Sequence, residues 1–211
     1  MNTPSAMVYV VDDDAGVRKG MARLIASAGY GVETFETGRA YLQRPAADDP
    51  WPACMLLDVN MPDLNGLDLQ RQLNEADSIL PIIFLSGQAD VPMSVGAMKE
   101  GAADFLTKPP EENVLLKVIG RAMDRAVSNA AFKAEMDSIN RRIARLTPRE
   151  HEVMQHVVAG RLNKQIADDL GTVLKTVKVH RGRIMKKMGV RTLADLVRCI
   201  AKVSSTVPRN G

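Results

Sequence analysis

The chain has little that would staple it or anchor it. It carries two cysteines in 211 residues, Cys54 and Cys199, one in each half and each inside an apolar run. That usage argues against a disulfide scaffold and fits a reducing cytosol, with both thiols as small core residues. No apolar run approaches the ~20 residues of a membrane span, and no secretory pattern opens the chain. A cytoplasmic location without membrane partners is therefore expected. Residues Met1 to Ala6 read as a short floppy lead-in. No cysteine or second histidine stands at ligand spacing to His180, so that residue reads as a packed, hydrogen-bonded side chain rather than a metal ligand. Internal repeats and low-complexity tracts are also lacking.

A uniform charge is lacking too. Residues 1–120 hold 9 Lys and Arg against 17 Asp and Glu, a net charge of −8. Residues 121–211 hold 19 against 8, a net of +11. The overall +3 thus averages an acidic half and a basic half. The split predicts two domains, with nucleic acid or an anionic surface as partner of the basic one. A mere excess of solvated lysines is the alternative.

The acidic half alternates short apolar runs with helical patterns. Met7 to Val11 runs into Asp12-Asp13-Asp14, Ala53 to Leu57 into Asp58, Pro81 to Leu85 into Ser86, and residues 103–107 into Lys108. Val32 to Phe35 reads as a further strand. Between them, helices are predicted around residues 17–28, closed by Gly29, and then over 37–44, 66–74, 91–100 and 111–127. A loop with Pro45, Pro50 and Pro52 precedes the third strand. Five strand–helix alternations predict a parallel sheet covered on both faces. Right-handed crossovers then bring every strand's carboxyl end to one edge, where ligands bind in such folds.

Three acids, a hydroxyl and a lysine gathered there suit a divalent cation and a phosphoryl group. Crowded carboxylates repel unless a cation intervenes. Magnesium takes oxygen ligands readily, with manganese as its substitute. A carboxylate is also a competent nucleophile toward phosphorus. Charge developing on the phosphoryl oxygens calls for the metal, a lysine and a hydrogen-bond donor. Each residue alone has a plainer reading: an Asp pair as a turn or helix cap, Lys108 as a surface lysine, Phe105 as core.

Residues 6–127 resemble the receiver domain of two-component response regulators. The matching segments are Val10 to Asp14, Leu57 to Gly66, Leu85-Ser86-Gly87 and Asp104 to Pro109. The resemblance implies Asp58 as phosphoacceptor. It implies magnesium held by the carboxylates of Asp13 and Asp58 and the backbone carbonyl of Asn60, with Asp12 assisting. Ser86 and Lys108 would hold phosphoryl oxygens, and Phe105 would pack inward or outward with the state of Ser86. The Lys108–Pro109 bond would be cis. Gln88 and Asn60 would flank the path of attacking water and tune the lifetime of the phosphate. Pro110 departs from the family, which carries an apolar residue there, and stiffens the approach to the last helix.

From Glu111 to about Arg145 the pattern stays helical, with Val127, Ala130, Ala134, Ile139, Ile143 and Leu146 as an imperfect apolar stripe. A long helix leading into a linker is one reading, and a short coiled-coil contact between protomers the other. Thr147-Pro148-x-Glu150 then marks a new helix start, with Thr as cap, Pro at the first position and Glu closing the box. Val153, Met154, Val157 and Val158 face inward, and Gly160 ends this helix. Asn163 is expected to cap the next, with Ile166, Ala167 and Leu170 inward and Gly171 at its end.

Lys175 to Met188 carries most of the information in this half. At helical spacing Val177, Ile184 and Met188 share one face, with His180 beside them. Lys175, Val179, Gly182 and Lys186 share the opposite face, with Lys178 at its edge. An apolar-and-basic helix after a helix and tight turn is a helix-turn-helix, whose second helix enters the major groove. Lysines reach guanine edges and phosphates, and Val179 could meet a thymine methyl. Arg181, Arg183 and Lys187 would hold phosphates. A solvated basic helix on a core is the alternative.

This segment resembles the LuxR-type DNA-binding domain through Leu146 to Glu150, Val153, Gly160, Asn163 to Ala167, Leu170, Thr176 to Arg181 and Lys187 to Val190. The resemblance adds Asn163, Lys164 and Thr176 to the DNA-binding candidates, and sets Lys178, Val179 and Gly182 at base-facing positions. Gly182 departs from relatives that carry a long polar side chain there. Val173-Leu174 replaces the usual polar pair before the recognition helix. Both halves together are similar to the FixJ/NarL class, nearer FixJ. The expected architecture is a doubly wound five-stranded parallel α/β sheet of the flavodoxin/CheY-like kind at residues 1–127. A helical linker follows at 128–145, and an all-α four-helix helix-turn-helix domain at 146–211. The class implies a transcription factor, not an enzyme. A sensor histidine kinase would phosphorylate it. It would then pair through helix 91–100 and strand 103–107 into a homodimer and bind double-stranded promoter DNA, with RNA polymerase as a further partner.

Three rivals stand against this, one of them a receiver fold that regulates without phosphate, against which the complete acidic site speaks. A phosphatase of the haloacid dehalogenase type wants a second acid two residues past the nucleophile, and Asn60 stands there. A LuxR-type receptor for a small ligand needs an apolar pocket in place of an acidic site.

Overall fold

The computed structural model describes residues 6–45, 52–87 and 91–204. The expected lead-in over residues 1–5, Pro50 of the proline loop and Gln88 lie outside the described residues. Contacts divide the chain into two units, Met1–Ala131 and Phe132–Gly211.

The first unit is built on strands β1 (Met7–Val11), β2 (Gly31–Phe35), β3 (Ala53–Asp58), β4 (Ile82–Ser86) and β5 (Asp104–Thr107). All pair in parallel, in the order β2-β1-β3-β4-β5. Helices α1 (Ala15–Ser27), α2 (Gly38–Leu42), α3 (Gly66–Glu75) and α4 (Val91–Lys99) connect them, and α5 starts at Glu112. Strand alternation sorts the apolar side chains into two layers. Val8, Val10, Cys54, Leu56, Ile83 and Leu85 pack with Ile25 of α1 and Leu115, Ile119 and Ala122 of α5. Tyr9, Val11, Met55, Leu57 and Phe84 pack with Tyr41, Leu69, Leu73 and Ala97 from α2, α3 and α4. The central strands are apolar on both faces because both are covered. Ala6 corrects the lead-in expectation: it is buried, and its carbonyl accepts a hydrogen bond from Gly31 N.

Helix α5 runs Glu112–Ile143, 32 residues, one continuous helix as the long-helix reading of residues 111–145 expects. Its first part packs on the sheet; Met136 and Ile139 belong to the core of the second unit. The apolar stripe read from sequence is corrected in its first half. Val127 is 56% exposed, and Ala130 and Ala134 are exposed. A helix that changes packing partners along its length does not keep one buried face. Ile143 and Leu146 do pack against the second core.

The second unit adds α6 (Pro148–Val158), α7 (Asn163–Asp169), α8 (Leu174–Met188) and α9 (Leu193–Ser204). Its core gathers Val153, Met154, Val157, Ile166, Val177, Ile184, Met188 and Leu196. The two folds are those read from the sequence: a doubly wound parallel sheet and a four-helix helix-turn-helix domain.

Candidate functional site

The strand order reverses direction between β1 and β3, and that switch point is where the acids meet. Val11 pairs with Leu57, which sets Asp12 level with Asp58. The aspartate triplet divides into three tasks. Asp12 is fully buried, Asp13 is exposed, and Asp14 is the cap of α1, its Oδ1 accepting from Gly16 N at 2.6 Å and Val17 N at 3.0 Å. Those hydrogen bonds, Val17's first, hold the Asp14 carboxyl below its usual range. Carboxylate oxygens of Asp12, Asp13 and Asp58 lie within 4.8 Å of one another.

Lys108 closes the group. It leaves β5 one residue past Thr107, which pairs with Ser86. Its Nζ donates to Asp12 Oδ2 at 2.6 Å and lies 3.0 Å from Asp58 Oδ2. Burial works against the lysine's charge, but its hydrogen bonds to Asp12 and then Asp58 outweigh it and raise its pKa. Asp58 is itself held above the normal carboxylate range. Burial is the main cause, the Asp12 charge adds to it, and the Lys108 bond opposes it. One ammonium therefore leaves three carboxylates undercompensated. Oxygen donors crowded in this way fit a hard dication such as magnesium. Ser86 is fully buried at the end of β4. Its carbonyl accepts from Lys108 N at 2.8 Å, across the cis Lys108–Pro109 turn. Phe105 is half-buried, with its ring 6.1 Å from that of Phe84. Asn60 N donates to Asp58 Oδ1 at 3.3 Å.

Two residues at this edge carry weight that the sequence reading did not give them. Arg18 reaches back from α1 to donate to the Asp12 carbonyl at 2.6 Å; its spacing from the strand end was the only signal. Gly66 opens α3 directly beneath the acid. A Cβ there would sit 2.3 Å from the Asp58 carbonyl oxygen and 3.1 Å from Val59 Cα, so only glycine fits.

In the second unit, Thr147 caps α6 with Pro148 in the first turn and Glu150 completing the box, as the spacing predicts. Glu150 does more. It is 2% exposed, and its Oε2 accepts from Thr147 N at 2.9 Å and Lys187 Nζ at 2.5 Å. Lys187 also donates to the Arg145 carbonyl at 3.0 Å, and Arg142 donates to the Met188 carbonyl at 2.7 Å. Lys187, expected on phosphates, is thus committed to anchoring the last turn of α8.

Asn163 is not the cap of α7. Leu162 holds that position, and Gln165 Oε1 accepts from its backbone N–H. Asn163 instead accepts from Arg181 Nη1 at 2.6 Å, joining the two helices of the motif. Val173 caps α8 without a side-chain bond. On α8, Val177, Ile184 and Met188 are buried, while Lys175, Lys178, Val179, Gly182, Arg183 and Lys186 are exposed. Lys164 is exposed on α7, and Thr176 is half-buried. His180 corrects an expectation: its Nδ1 is buried without a hydrogen-bond partner among the described residues. No described helix is long and apolar enough to cross a membrane.

Comparison with known proteins agrees with both halves. Residues 8–120 match the family "Response regulator receiver domain". Residues 144–200 match "Bacterial regulatory proteins, luxR family". The chain is 39% identical over 210 residues to the response regulator protein TodT of Pseudomonas putida F1, covering 98% of this chain and 90% of that one. It is 38% identical over 200 residues to the transcriptional regulatory protein FixJ of Bradyrhizobium diazoefficiens, covering 93% and 95%. Among solved structures, response regulator StyR is 40% identical with a TM-score of 0.71, covering 94% of this chain and 99% of that one. With both families matched in this order and relatives of this identity covered over nearly their whole length, the chain belongs to the response regulators that join a receiver domain to a LuxR-type DNA-binding domain.

Proposed function

We propose that Asp58 accepts a phosphoryl group from a sensor histidine kinase, and that this event switches how the C-terminal helices meet promoter DNA. The observation that carries the reading is the buried Asp58–Lys108–Asp12 cluster at the switch point of the sheet. One carboxylate oxygen of Asp58 attacks phosphorus, the donor's P–N bond breaks, and the imidazole leaves with the electron pair. Lys108 turns from the carboxylates to the new phosphoryl oxygens, and the Ser86 hydroxyl donates to another. Asp12, Asp13, Asp58 and the Asn60 carbonyl would hold magnesium, or manganese in its place, which when bound supplies positive charge against those oxygens. Phe105 follows Ser86, and the surface of α4 and β5 repacks. The exposed Val91, Val95 and Met98 of α4 support pairing of two receivers there.

Residues 1–127 form the receiver in this reading, 128–145 the helical linker and 146–211 the DNA-binding domain. Asn163, Lys164, Lys175, Thr176, Lys178, Val179, Arg181, Arg183 and Lys186 make the DNA surface. Lys187 reaches a phosphate only by leaving Glu150. RNA polymerase is the partner downstream. Phosphorylation shifts an existing equilibrium between two states. The test is labelling by acetyl phosphate: wild type is labelled in magnesium and Asp58→Asn is not. Persistent labelling of the variant at another residue overturns the assignment. DNA selection from random pools with and without beryllofluoride tests the switch, which fails if affinity is equal at every protein concentration.

A further inference from the structure

Helix α8 is tied at its carboxyl end to a segment that precedes the helix-turn-helix. The last carbonyls of a helix lack partners within it and carry partial negative charge. Met188 closes α8, and its carbonyl accepts from Arg142 Nη1 of α5 at 2.7 Å. Gly189, at a φ of +64°, turns the chain just past that carbonyl. The tie is returned: Lys187 Nζ of α8 donates at 3.0 Å to the carbonyl of Arg145, two residues past the end of α5. Each helix thus sets a cation on the other's carboxyl end. Packing follows the same line. Met136 and Ile139 of α5 are buried with Val153, Val177, Ile184 and Met188, and Lys202 of α9 pairs with Glu135. Residues 132–143, about three turns, therefore share one core with α8, although the match to the LuxR-type family begins only at residue 144.

We infer that the last three turns of α5 are part of the DNA-binding domain, not a linker leading to it, and that Arg142 is a positioning residue that holds α8 in the pose from which its outward side chains meet base edges. This inference rests on the DNA-binding reading above and adds to it what fixes the reading helix. The polar ties of α8 come at two places. Arg181 is bonded to Asn163 of α7 at 2.6 Å near the middle, and Met188 to Arg142 at the end, about 10 Å further on. Lys187 shares that end but also neutralises the buried Glu150. Arg142 is thus the tie that can be cut without stranding a buried charge. Cutting it loosens the end and lets α8 tilt about its middle. Non-specific binding needs only positive charge beside phosphates, whereas base contacts need the helix in one pose.

The test uses the full chain with magnesium and beryllofluoride, and two duplexes of equal length: the site that wild type selects from a random pool, and an unrelated sequence. Arg142→Ala should bind the selected duplex about tenfold more weakly, the loss of one charged hydrogen bond. It should bind the unrelated duplex within about twofold of wild type, because its phosphate contacts remain. Arg142→Lys, which returns a cation to the helix end, should recover most of the ratio between the two. A role confined to folding would lower both affinities by the same factor, and melting followed by far-ultraviolet circular dichroism gives the folded fraction of each variant. If Arg142→Ala is unfolded at the assay temperature, the ratio is read from Arg142→Gln against Arg142→Lys, and the neutral side chain should discriminate less well. An unchanged ratio in Arg142→Ala, an equal fall for both duplexes, or equal ratios for the Gln and Lys variants overturns the inference and leaves the DNA-binding reading standing. Absence of any sequence selected by wild type sinks that reading, and this inference with it.

Discussion

Asp58 is a residue whose chemistry and stability pull in opposite directions. Burial raises its folded pKa above the reference value of 3.8, so the fold prefers the neutral acid. The carboxylate costs stability once pH passes that range, and the cost is fully present above the folded pKa. Asp58→Asn should therefore melt higher than wild type at pH 7 without magnesium, with the gap closing as pH falls toward 3.8. Equal melting at pH 7 would contradict the burial argument. Glu150 has the opposite sign. Its Lys187 bond, then its Thr147 bonds, lower the folded pKa below 4.5. Its stabilisation is present above that value and is lost as pH falls through the folded pKa. Glu150→Gln keeps an acceptor for Thr147 N but loses the charge pairing, so it should be less stable than wild type at pH 7 and converge with it below pH 4.5. Thr147→Ala should cost about 1 kcal/mol through the lost cap, read by denaturant unfolding.

At the scale of elements, α8 separates lysines that look alike in sequence. Lys186 is exposed and its side chain has no hydrogen-bond or ion-pair partner among the described residues, whereas Lys187 is bonded to Glu150 and the Arg145 carbonyl. Lys186→Ala should lower the slope of log affinity against log salt by about 0.9 with little effect on stability. Lys187→Ala should destabilise by about 1–3 kcal/mol, because it strands a buried carboxylate, and leave the salt slope nearly unchanged. Equal salt slopes for the two variants, both below wild type, would place both lysines on phosphates. The helix period does show that both stand near the wet side; it carries no trace of Glu150, 37 residues earlier. The strands and the capping box were legible because both are local patterns, short continuous apolar runs for the strands and a fixed spacing for the box. Asn163 was misread as a cap because Leu162 carries no polar oxygen, and the motif is closed instead by Gln165 reaching back. The stripe through Val127 and Ala130 failed because α5 serves two cores in turn. Asp12, Asp13, Asp58, Ser86 and Lys108 were legible because each follows an apolar run directly. Arg18 and Gly66 were not, since their importance lies in what sits across the sheet edge from them.

The whole molecule reports its two units separately. Tyr9, Tyr30, Tyr41 and Trp51 all precede residue 132, and no tyrosine or tryptophan follows it. Aromatic fluorescence therefore follows only the unit that carries the acidic cluster, while far-ultraviolet circular dichroism follows both. Magnesium at tenfold over its dissociation constant should stabilise the first unit by about 1.4 kcal/mol. The fluorescence melt should rise with metal, and Asp13→Asn should reduce the rise. A rise of equal size with Asp12, Asp13 and Asp58 all changed to Asn would locate the cation elsewhere. The opposed charges of the halves, −8 and +11, make salt a necessary control in every such comparison.

Gly66 does no chemistry, yet the backbone that carries the phosphoacceptor rests against the hydrogen where its side chain would be. In a saturation screen it should tolerate as few replacements as Asp58, and an alanine allele should fail by displacing the acid rather than by erasing it. Inheritance of this switch therefore depends as strictly on an atom that must never be added as on the oxygen that reacts.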